Sequence, residues 1–191
     1  MDGLETLQAM ARTDFVERSP LTREALNFAA SRHAGQVREA DGVPFVTHPV
    51  EVACLLHEAG YSDAVVAAGV LHDVLENTNA EPDDLERRFG PEVTTLVEAV
   101  SDDPSIEDHA ARKAALRDQV EHAGECAAAV FAADKVSKAR ELRRRSGRFS
   151  RRDQVRVEHY EASLEMLERM LPGRDLVDRL RTELDALHAL S

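Results

Sequence analysis

Apolar residues recur every three to four positions along most of this chain, the spacing that places them on one face of an α-helix. The pattern predicts an all-α helical bundle of about 8–10 helices, with one domain over residues 1–191 and an N-terminal helix extension at 1–19. A brief extended piece is expected at 43–46. The predicted helices cover about 4–16, 21–33, 47–60, 62–75, 82–89, 91–100, 108–122, 126–145, 150–170 and 175–190.

Capping residues fix the predicted starts of several helices. Ser19, which precedes a proline, and Ser62, which precedes a long apolar run, carry the side chain preferred at an N-cap. Thr47 is expected to cap the helix that follows it. Ser150 with Asp153 three residues later resembles a capping box.

Composition favours a folded helical protein of 191 residues with 43% hydrophobic residues. The segment CAAAVFAA is apolar all round, so the 126–145 helix is predicted to be the central buried one. No run of about 18 apolar residues is present, and the acidic start lacks a signal-peptide pattern. Cys54 and Cys126 lie in apolar helical patterns without close spacing, which predicts reduced core residues of a cytoplasmic protein.

A formal net charge of −12 argues against a general nucleic-acid binder, which needs a broad basic face. One segment departs from the acidic pattern, because Glu141 is the only acid between Lys138 and Arg152. This basic segment either attracts a small polyanion or is a solvated helix end, where Lys and Arg are favoured. The expected partner is a small molecule rather than a nucleic acid or a membrane, and the sequence leaves the oligomeric state open.

Four polar residues stand inside apolar helical patterns, where acids and histidines are costly unless they are paired or bind metal. His48 lies in FVTHP, His72 and Asp73 end the run VVAAGVLHD, and Asp134 lies in AAVFAADKV. Two imidazoles and two carboxylates suit a borderline divalent ion, so the residues suggest a metal-dependent hydrolase. Each also has a structural interpretation: Asp134 could pair with Lys135 or an arginine, and His48 could be a satisfied first-turn residue.

These residues, in this order, resemble the hydrolase domain of the RelA/SpoT alarmone enzymes, a branch of the HD phosphohydrolase superfamily that includes single-domain small alarmone hydrolases. The matching stretches are HAGQVR (33–38), PFVTHPVEVACLL (44–56), AAGVLHDVLENT (67–78), LERRFGPEVTTLVEAVSDD (85–103) and AADKVSKAREL (132–142). VEHYEASLEML (157–167) resembles the family's C-terminal helix. The resemblance covers nearly the whole chain after residue 20.

The resemblance implies an HD-type bundle with one divalent cation, usually manganese, held by His48, His72, Asp73 and Asp134. It also implies that a metal-activated water attacks the 3′ diphosphate of ppGpp or pppGpp and that pyrophosphate is released. Glu76 and Asn77 stand where the family has an acidic catalytic pair. Glu76 follows His72 by four residues, so both can share a helix face, and it would orient or deprotonate the water.

The resemblance further assigns substrate-binding positions. Arg38 matches an arginine near the guanine base, and its planar group can stack on a purine. Tyr160 matches a tyrosine that faces the nucleotide pocket, and a stacked core tyrosine is an equally consistent interpretation. Lys135 and Lys138, which follow the last predicted ligand, complete the expected substrate-binding set.

Three positions depart from the family pattern. Asn77 replaces an acid and carries no charge, Glu39 replaces a basic residue, and Lys138 replaces an asparagine. Because the predicted ligands are intact, we expect a changed substrate or slower chemistry, with Lys138 compensating for the positive charge lost at Glu39. Two alternatives stay open: a phosphohydrolase of another phosphorylated nucleotide, such as a phosphorylated dinucleotide cofactor, and a non-catalytic nucleotide sensor that keeps the metal.

Overall fold

The structure, a computed structural model, describes residues 15–16, 18–145 and 149–189. Its helices are α1 (Pro20–Arg32), α2 (Thr47–Glu58), α3 (Asp63–Leu71), α4 (Val74–Asn77), α5 (Pro82–Ala99), α6 (His109–Ala123), α7 (Glu125–Arg144), α8 (Arg151–Met170) and α9 (Asp175–His188). Within this range, β structure is limited to a single antiparallel bridge between Val37 and Pro44. The predicted all-α bundle is confirmed, whereas most of the predicted 4–16 helix lies outside the described residues.

Local capping explains where several helices begin. Ser19 and Ser62 each accept a hydrogen bond from the backbone N–H three residues later, which satisfies a donor that the first helical turn leaves unpaired. At the start of α8, Ser150 and Asp153 accept from each other's backbone N–H groups in a complete capping box. These three predicted caps are confirmed.

The predicted cap at Thr47 is wrong. The side chain of Thr47 donates to the carbonyl oxygen of Pro44 at 2.9 Å, so it stabilises the preceding turn. The N-cap position of α2 falls on Val46, which has no side chain able to accept a hydrogen bond.

The predicted helix over 62–75 is also shorter in the structure, because α3 ends at Leu71 and α4 is a separate single turn. His72 Nδ1 lies 2.8 Å from the carbonyl oxygen of Gly69, three residues earlier. A side chain that bonds a nearby carbonyl competes with the helical backbone pattern. The break between α3 and α4 therefore falls at His72, whose ring is turned into the interior.

Helix α7 is the central element, as its apolar sequence predicts, and it packs against α2, α3, α5, α6, α8 and α9. Residues 127–133 are fully buried on every side of the helix. Cys126 is a correction, because it is exposed in the first turn of α7, before the buried stretch begins, whereas Cys54 lies in the core as predicted. None of the helices in the described part of the chain combines the length and apolarity needed to cross a membrane.

Two glycines shape the bundle. Gly69 lets α3 approach α2 closely, since a Cβ atom there would lie 2.4 Å from Leu56 Cδ1 and 3.3 Å from Val52 Cγ1. Gly90 has φ 81° and ψ 170°, a conformation that favours glycine, and it interrupts α5 just before Pro91. The predicted boundary between helices at 82–89 and 91–100 is therefore seen as a kink.

Candidate functional site

Four polar side chains meet where α2, α7 and the turn between α3 and α4 converge. His48 comes from the first turn of α2, His72 and Asp73 from the turn, and Asp134 from the middle of α7. His48 Nε2 lies 3.1 Å from both His72 Nε2 and Asp134 Oδ1, and His72 Nε2 lies 3.2 Å from Asp73 Oδ2. The structure thus brings the four predicted ligands together in what we call the ligand cluster.

Both imidazoles point Nε2 toward the centre of the ligand cluster and use Nδ1 for contacts behind it. His72 Nδ1 lies 2.8 Å from the carbonyl oxygen of Gly69, which can only accept, so Nδ1 carries a hydrogen. His48 Nδ1 lies 2.9 Å from Ser137 Oγ. Metal-binding histidines are commonly oriented in this way by a hydrogen bond from the other ring nitrogen.

The two carboxylates also direct lone pairs to the centre. Asp73 Oδ2 and Asp134 Oδ1 are buried, and neither forms a hydrogen bond of good geometry with the described residues, although the ammonium of Lys138 lies 3.0 Å from Asp134 Oδ1. A divalent cation is the kind of group that satisfies two imidazole nitrogens and two carboxylate oxygens at once. His48, His72 and Asp134 offer ligand atoms that all lie within 4.8 Å of one another, so the residues fit a metal ion.

The charges of the cluster shift the pKa values of its members. Burial lowers the pKa of His72, but Asp73 and Asp134 outweigh burial and raise this pKa to about 10. Burial raises the pKa of both aspartates, but nearby cations, led by His72 for Asp73 and by Lys135 for Asp134, hold these pKa values well below the usual range. Because metal ligands must be deprotonated, binding of a cation here is expected to release protons.

Lys135, predicted as a substrate-binding residue, is ion-paired with the ligand cluster and also lines a cavity. Its ammonium donates to Asp134 Oδ2 at 2.6 Å and lies 4.1 Å from the centre of the Phe131 ring. The side chain is buried, and burial lowers its pKa. The ion pair with Asp134 that the sequence left open is therefore present, and it uses the carboxylate oxygen that faces away from the two histidines.

Lys138 reaches the ligand cluster through the other carboxylate oxygen of Asp134. Its ammonium lies 3.0 Å from Asp134 Oδ1 and 3.7 Å from Asp73 Oδ1, while 33% of its side chain is exposed. Burial lowers the pKa of Lys138, but Asp134 and Asp73 outweigh it and raise the pKa well above the ordinary value. This cation partly neutralises the same carboxylates that would bind a metal.

The predicted catalytic residues, Glu76 and Asn77, end the single turn α4. Glu76 Oε1 accepts a hydrogen bond from the backbone N–H of Asp102 at 2.7 Å, which ties its carboxylate to the loop after α5. Although the residue is exposed, the protein around its carboxyl group removes part of its hydration and raises its pKa. A raised pKa suits a residue that accepts a proton near neutral pH.

A cavity of about 340 Å³ opens beside Lys138, and several of the predicted substrate-binding residues line it. Glu76 and Lys135 line other cavities. We call the charged and polar lining of the first cavity the nucleotide rim; it consists of Arg38, Glu39, Asn77, Lys138, Glu141, Arg145, Arg156 and Tyr160.

Contacts across the nucleotide rim alter the charges that the sequence predicts for it. Arg38 is buried at the wall, 3.6 Å from Glu141. Tyr160 is buried too, and burial raises its pKa to about 12. Glu39 forms an ion pair with Arg156 at 3.1 Å, so its negative charge is offset by an arginine from α8.

A second cavity, of about 580 Å³, shares Asn77, Lys138 and Tyr160 with the first and is strongly basic. Lys113 of α6 and His159 of α8 line it and were missed by sequence reasoning. Basic residues on amphipathic helices are usually solvated, so the sequence offered no signal for them. For Ser137 and Glu51, which lie behind His48, a signal existed, since each follows a predicted ligand by three residues, one helical turn.

The chain matches the family model described as the HD domain over residues 25–159. Human guanosine-3′,5′-bis(diphosphate) 3′-pyrophosphohydrolase MESH1 is 42% identical over 127 residues, which cover 63% of this chain and 69% of that protein. The bifunctional (p)ppGpp synthase/hydrolase SpoT of Escherichia coli K12 is 46% identical over 79 residues, 41% of this chain and 11% of SpoT.

A solved structure also resembles the fold over nearly its full length. It is a metazoan orthologue of SpoT that hydrolyses ppGpp and plays a role in starvation responses. The two structures superpose with a TM-score of 0.75 at 30% sequence identity, and the match covers 91% of this chain and 98% of the orthologue. The family and the fold implied by the sequence motifs are therefore confirmed.

Proposed function

Because the chain belongs to the HD domain family of metal-dependent hydrolases, we propose that it hydrolyses the 3′ diphosphate of a guanosine 3′,5′-bis(diphosphate)-type nucleotide. The observation that carries the proposal is the ligand cluster, in which the buried oxygens Asp73 Oδ2 and Asp134 Oδ1 each lie 3.1–3.4 Å from the Nε2 atoms of both histidines. Bound there, a divalent cation, with Mn²⁺ as the proposed ion, would lower the pKa of a water molecule and neutralise phosphate oxygens.

The protein's own residues have distinct tasks in this proposal. Glu76 takes a proton from the attacking water, and the loop backbone at Asp102 holds its carboxylate in place. The water oxygen bonds to the phosphorus next to the 3′ oxygen of the ribose, the bond to that oxygen breaks, and the 3′ oxygen gains a proton as pyrophosphate leaves. Arg38 and Tyr160 position the nucleoside in the cavity, and Lys138 faces the phosphate groups.

The test is a nucleotide panel of ppGpp, pppGpp and a 2′-phosphorylated dinucleotide cofactor, run with and without Mn²⁺ on metal-stripped protein. Pyrophosphate should appear from the first two nucleotides only when metal is added. Asp73→Asn should abolish release, whereas Asp185→Asn, at an exposed position of α9, should not change it.

Other results would point to the alternative functions. Phosphate released from the dinucleotide, with no pyrophosphate from ppGpp, would favour a phosphohydrolase of another nucleotide. Tight binding of metal and nucleotide without any product would favour a non-catalytic sensor. The phosphohydrolase of another nucleotide is retained as an alternative because Asn77 and Lys138, which depart from the family pattern, both line the cavity.

A further inference from the structure

A chain of hydrogen bonds runs behind His48, on the side away from the ligand cluster. His48 Nδ1 lies 2.9 Å from Ser137 Oγ, and Ser137 Oγ donates to Glu51 Oε2 at 2.9 Å. Arg140 donates to the other oxygen of Glu51 at 3.1 Å and to Glu183 of α9 at 2.9 Å. This connection links α2, α7 and α9 through side chains that are buried or nearly so.

Counting hydrogens along this chain determines which nitrogen of His48 is protonated. A serine hydroxyl has one hydrogen, and the carboxylate of Glu51, which faces the guanidinium of Arg140, can only accept. The hydrogen of Ser137 is therefore used on Glu51, and the contact between Ser137 and His48 requires a hydrogen on Nδ1. In neutral His48, Nε2 then carries the lone pair that faces the ligand cluster.

The two imidazoles differ in how they are held. His72 bonds a backbone carbonyl, that of Gly69, which no substitution of a side chain removes. His48 depends on the side chains of Ser137 and Glu51. With the other tautomer, a hydrogen on His48 Nε2 would point toward His72 Nε2, 3.1 Å away, and occupy the position that a cation needs.

We propose that Ser137 and Glu51 are positioning residues that hold His48 in its metal-binding tautomer and orientation, with Arg140 and Glu183 anchoring Glu51. The inference rests on the proposed metal site and adds residues that touch neither the metal nor the substrate. Mutation of hydrogen-bond partners of this kind typically lowers metal affinity by about 10–100-fold.

The experiment measures Mn²⁺ binding to the metal-stripped protein by titration calorimetry, together with thermal unfolding with and without metal. Ser137→Ala should lower Mn²⁺ affinity by roughly 10–100-fold, because it leaves the Nδ1 hydrogen of His48 buried without an acceptor. Ser137→Thr, which keeps the hydroxyl, should restore most of the affinity. Glu51→Gln should weaken binding to a smaller extent, since an amide can still accept from Ser137.

Ser163→Ala is the matched control. Ser163 is also a buried helical serine, but its hydroxyl donates to the carbonyl oxygen of His159, on α8 and outside the connection behind His48. This variant should lose stability to a similar extent and keep the wild-type Mn²⁺ affinity. A merely structural role for Ser137 predicts that the two alanine variants behave alike.

The kinetic readout separates positioning from chemistry. Ser137→Ala should recover most of the wild-type kcat at saturating Mn²⁺, because the defect lies in metal affinity. The inference is overturned if folded Ser137→Ala, or Glu51→Gln where the alanine variant does not fold, binds Mn²⁺ as tightly as the wild type. If the wild type itself binds no divalent cation, both this inference and the proposed function fail. The titration of the wild type shows that result before any variant is compared.

Discussion

The ligand cluster and the nucleotide rim lie side by side but are built in different ways. The cluster consists of buried side chains fixed by three packed elements, and His48 and His72 each have a hydrogen-bond partner behind the ring. The rim draws on the loop before α2, on α4, on the C-terminal part of α7 and on α8, and Glu39 there is 69% exposed. Charges in the rim can therefore change without disturbing the helices that hold the cluster.

This difference explains where the chain departs from the family pattern. Glu39, Asn77 and Lys138 all line the rim, whereas the four cluster positions are intact. Buried charged groups are strongly constrained, because removing one partner leaves another without compensation. We infer that metal binding is determined by the cluster and nucleotide selectivity by the rim, with Lys138 contacting both regions.

Among substitutions that leave both regions structurally intact, Glu76→Gln is expected to have the largest effect on turnover. Turnover should fall by about 10²–10⁴-fold, because the amide cannot accept the proton of the attacking water. Mn²⁺ affinity, measured by calorimetry, should stay close to that of the wild type. A large loss of metal affinity instead would mean that Glu76 belongs to the cluster.

The same residue predicts a pH dependence. The protein around Glu76 raises its pKa above the ordinary value of 4.5, and the residue acts as a base only when ionised. The kcat/KM of the wild type should therefore fall as the pH drops through a value above 4.5. Glu76→Gln should lack this acidic limb. Metal content at each pH is the control, because protonation of the histidines also weakens binding.

The next prediction concerns Lys138, where the two regions meet. Its ammonium lies 3.0 Å from Asp134 Oδ1, so it competes with a cation for that carboxylate. Lys138→Asn should raise Mn²⁺ affinity, and combining it with Asn77→Asp, which supplies a second acid beside Glu76, should raise kcat/KM for ppGpp by about tenfold, about 1.4 kcal/mol. Both changes restore residue types of the family pattern.

Arg144→Asn is the control for this pair of changes, since it removes a cation from an exposed position of the same helix. It should alter neither metal affinity nor kcat/KM. If the double variant gains nothing for ppGpp but gains for another nucleotide in the panel, selectivity still lies in the rim and the proposed substrate is wrong. If Lys138→Asn leaves Mn²⁺ affinity unchanged, Lys138 does not link the two regions.

The sequence predicted the cluster better than the rim for a physical reason. A histidine or an aspartate within an apolar helix, such as Asp134 in AAVFAADKV, is conspicuous because its burial needs compensation. The pair formed by Glu39 and Arg156 joins residues 117 positions apart, and no local pattern reveals it. The end of α3 was also missed, because the apolar pattern does not reveal that the ring of His72 turns back to bond the carbonyl of Gly69.

Gly69→Ala tests whether the cluster depends on close helix packing, and it carries the smallest expected effect. The added methyl group would meet Leu56 Cδ1 at 2.4 Å, so α3 or the leucine must move. Overpacking of this kind typically costs about 1–3 kcal/mol, which thermal or urea unfolding would measure. Because Gly69 also accepts from His72, the shift should weaken Mn²⁺ binding by roughly a few-fold, less than the loss of a hydrogen-bond partner.

A double-mutant cycle with Leu56→Ala separates this clash from other effects of the methyl group. Trimming the leucine alone opens a cavity and should destabilise the protein by about 2–5 kcal/mol. If the clash is the cause, the two substitutions together should cost less than the sum of their separate effects, and Mn²⁺ affinity should recover. Purely additive losses of stability would show that α3 accommodates the methyl group without pressing on α2. Unchanged metal affinity in Gly69→Ala would then mean that the spacing of α2 and α3 does not determine metal binding. The hydrogen bonds behind the two imidazoles would then be what orients the rings.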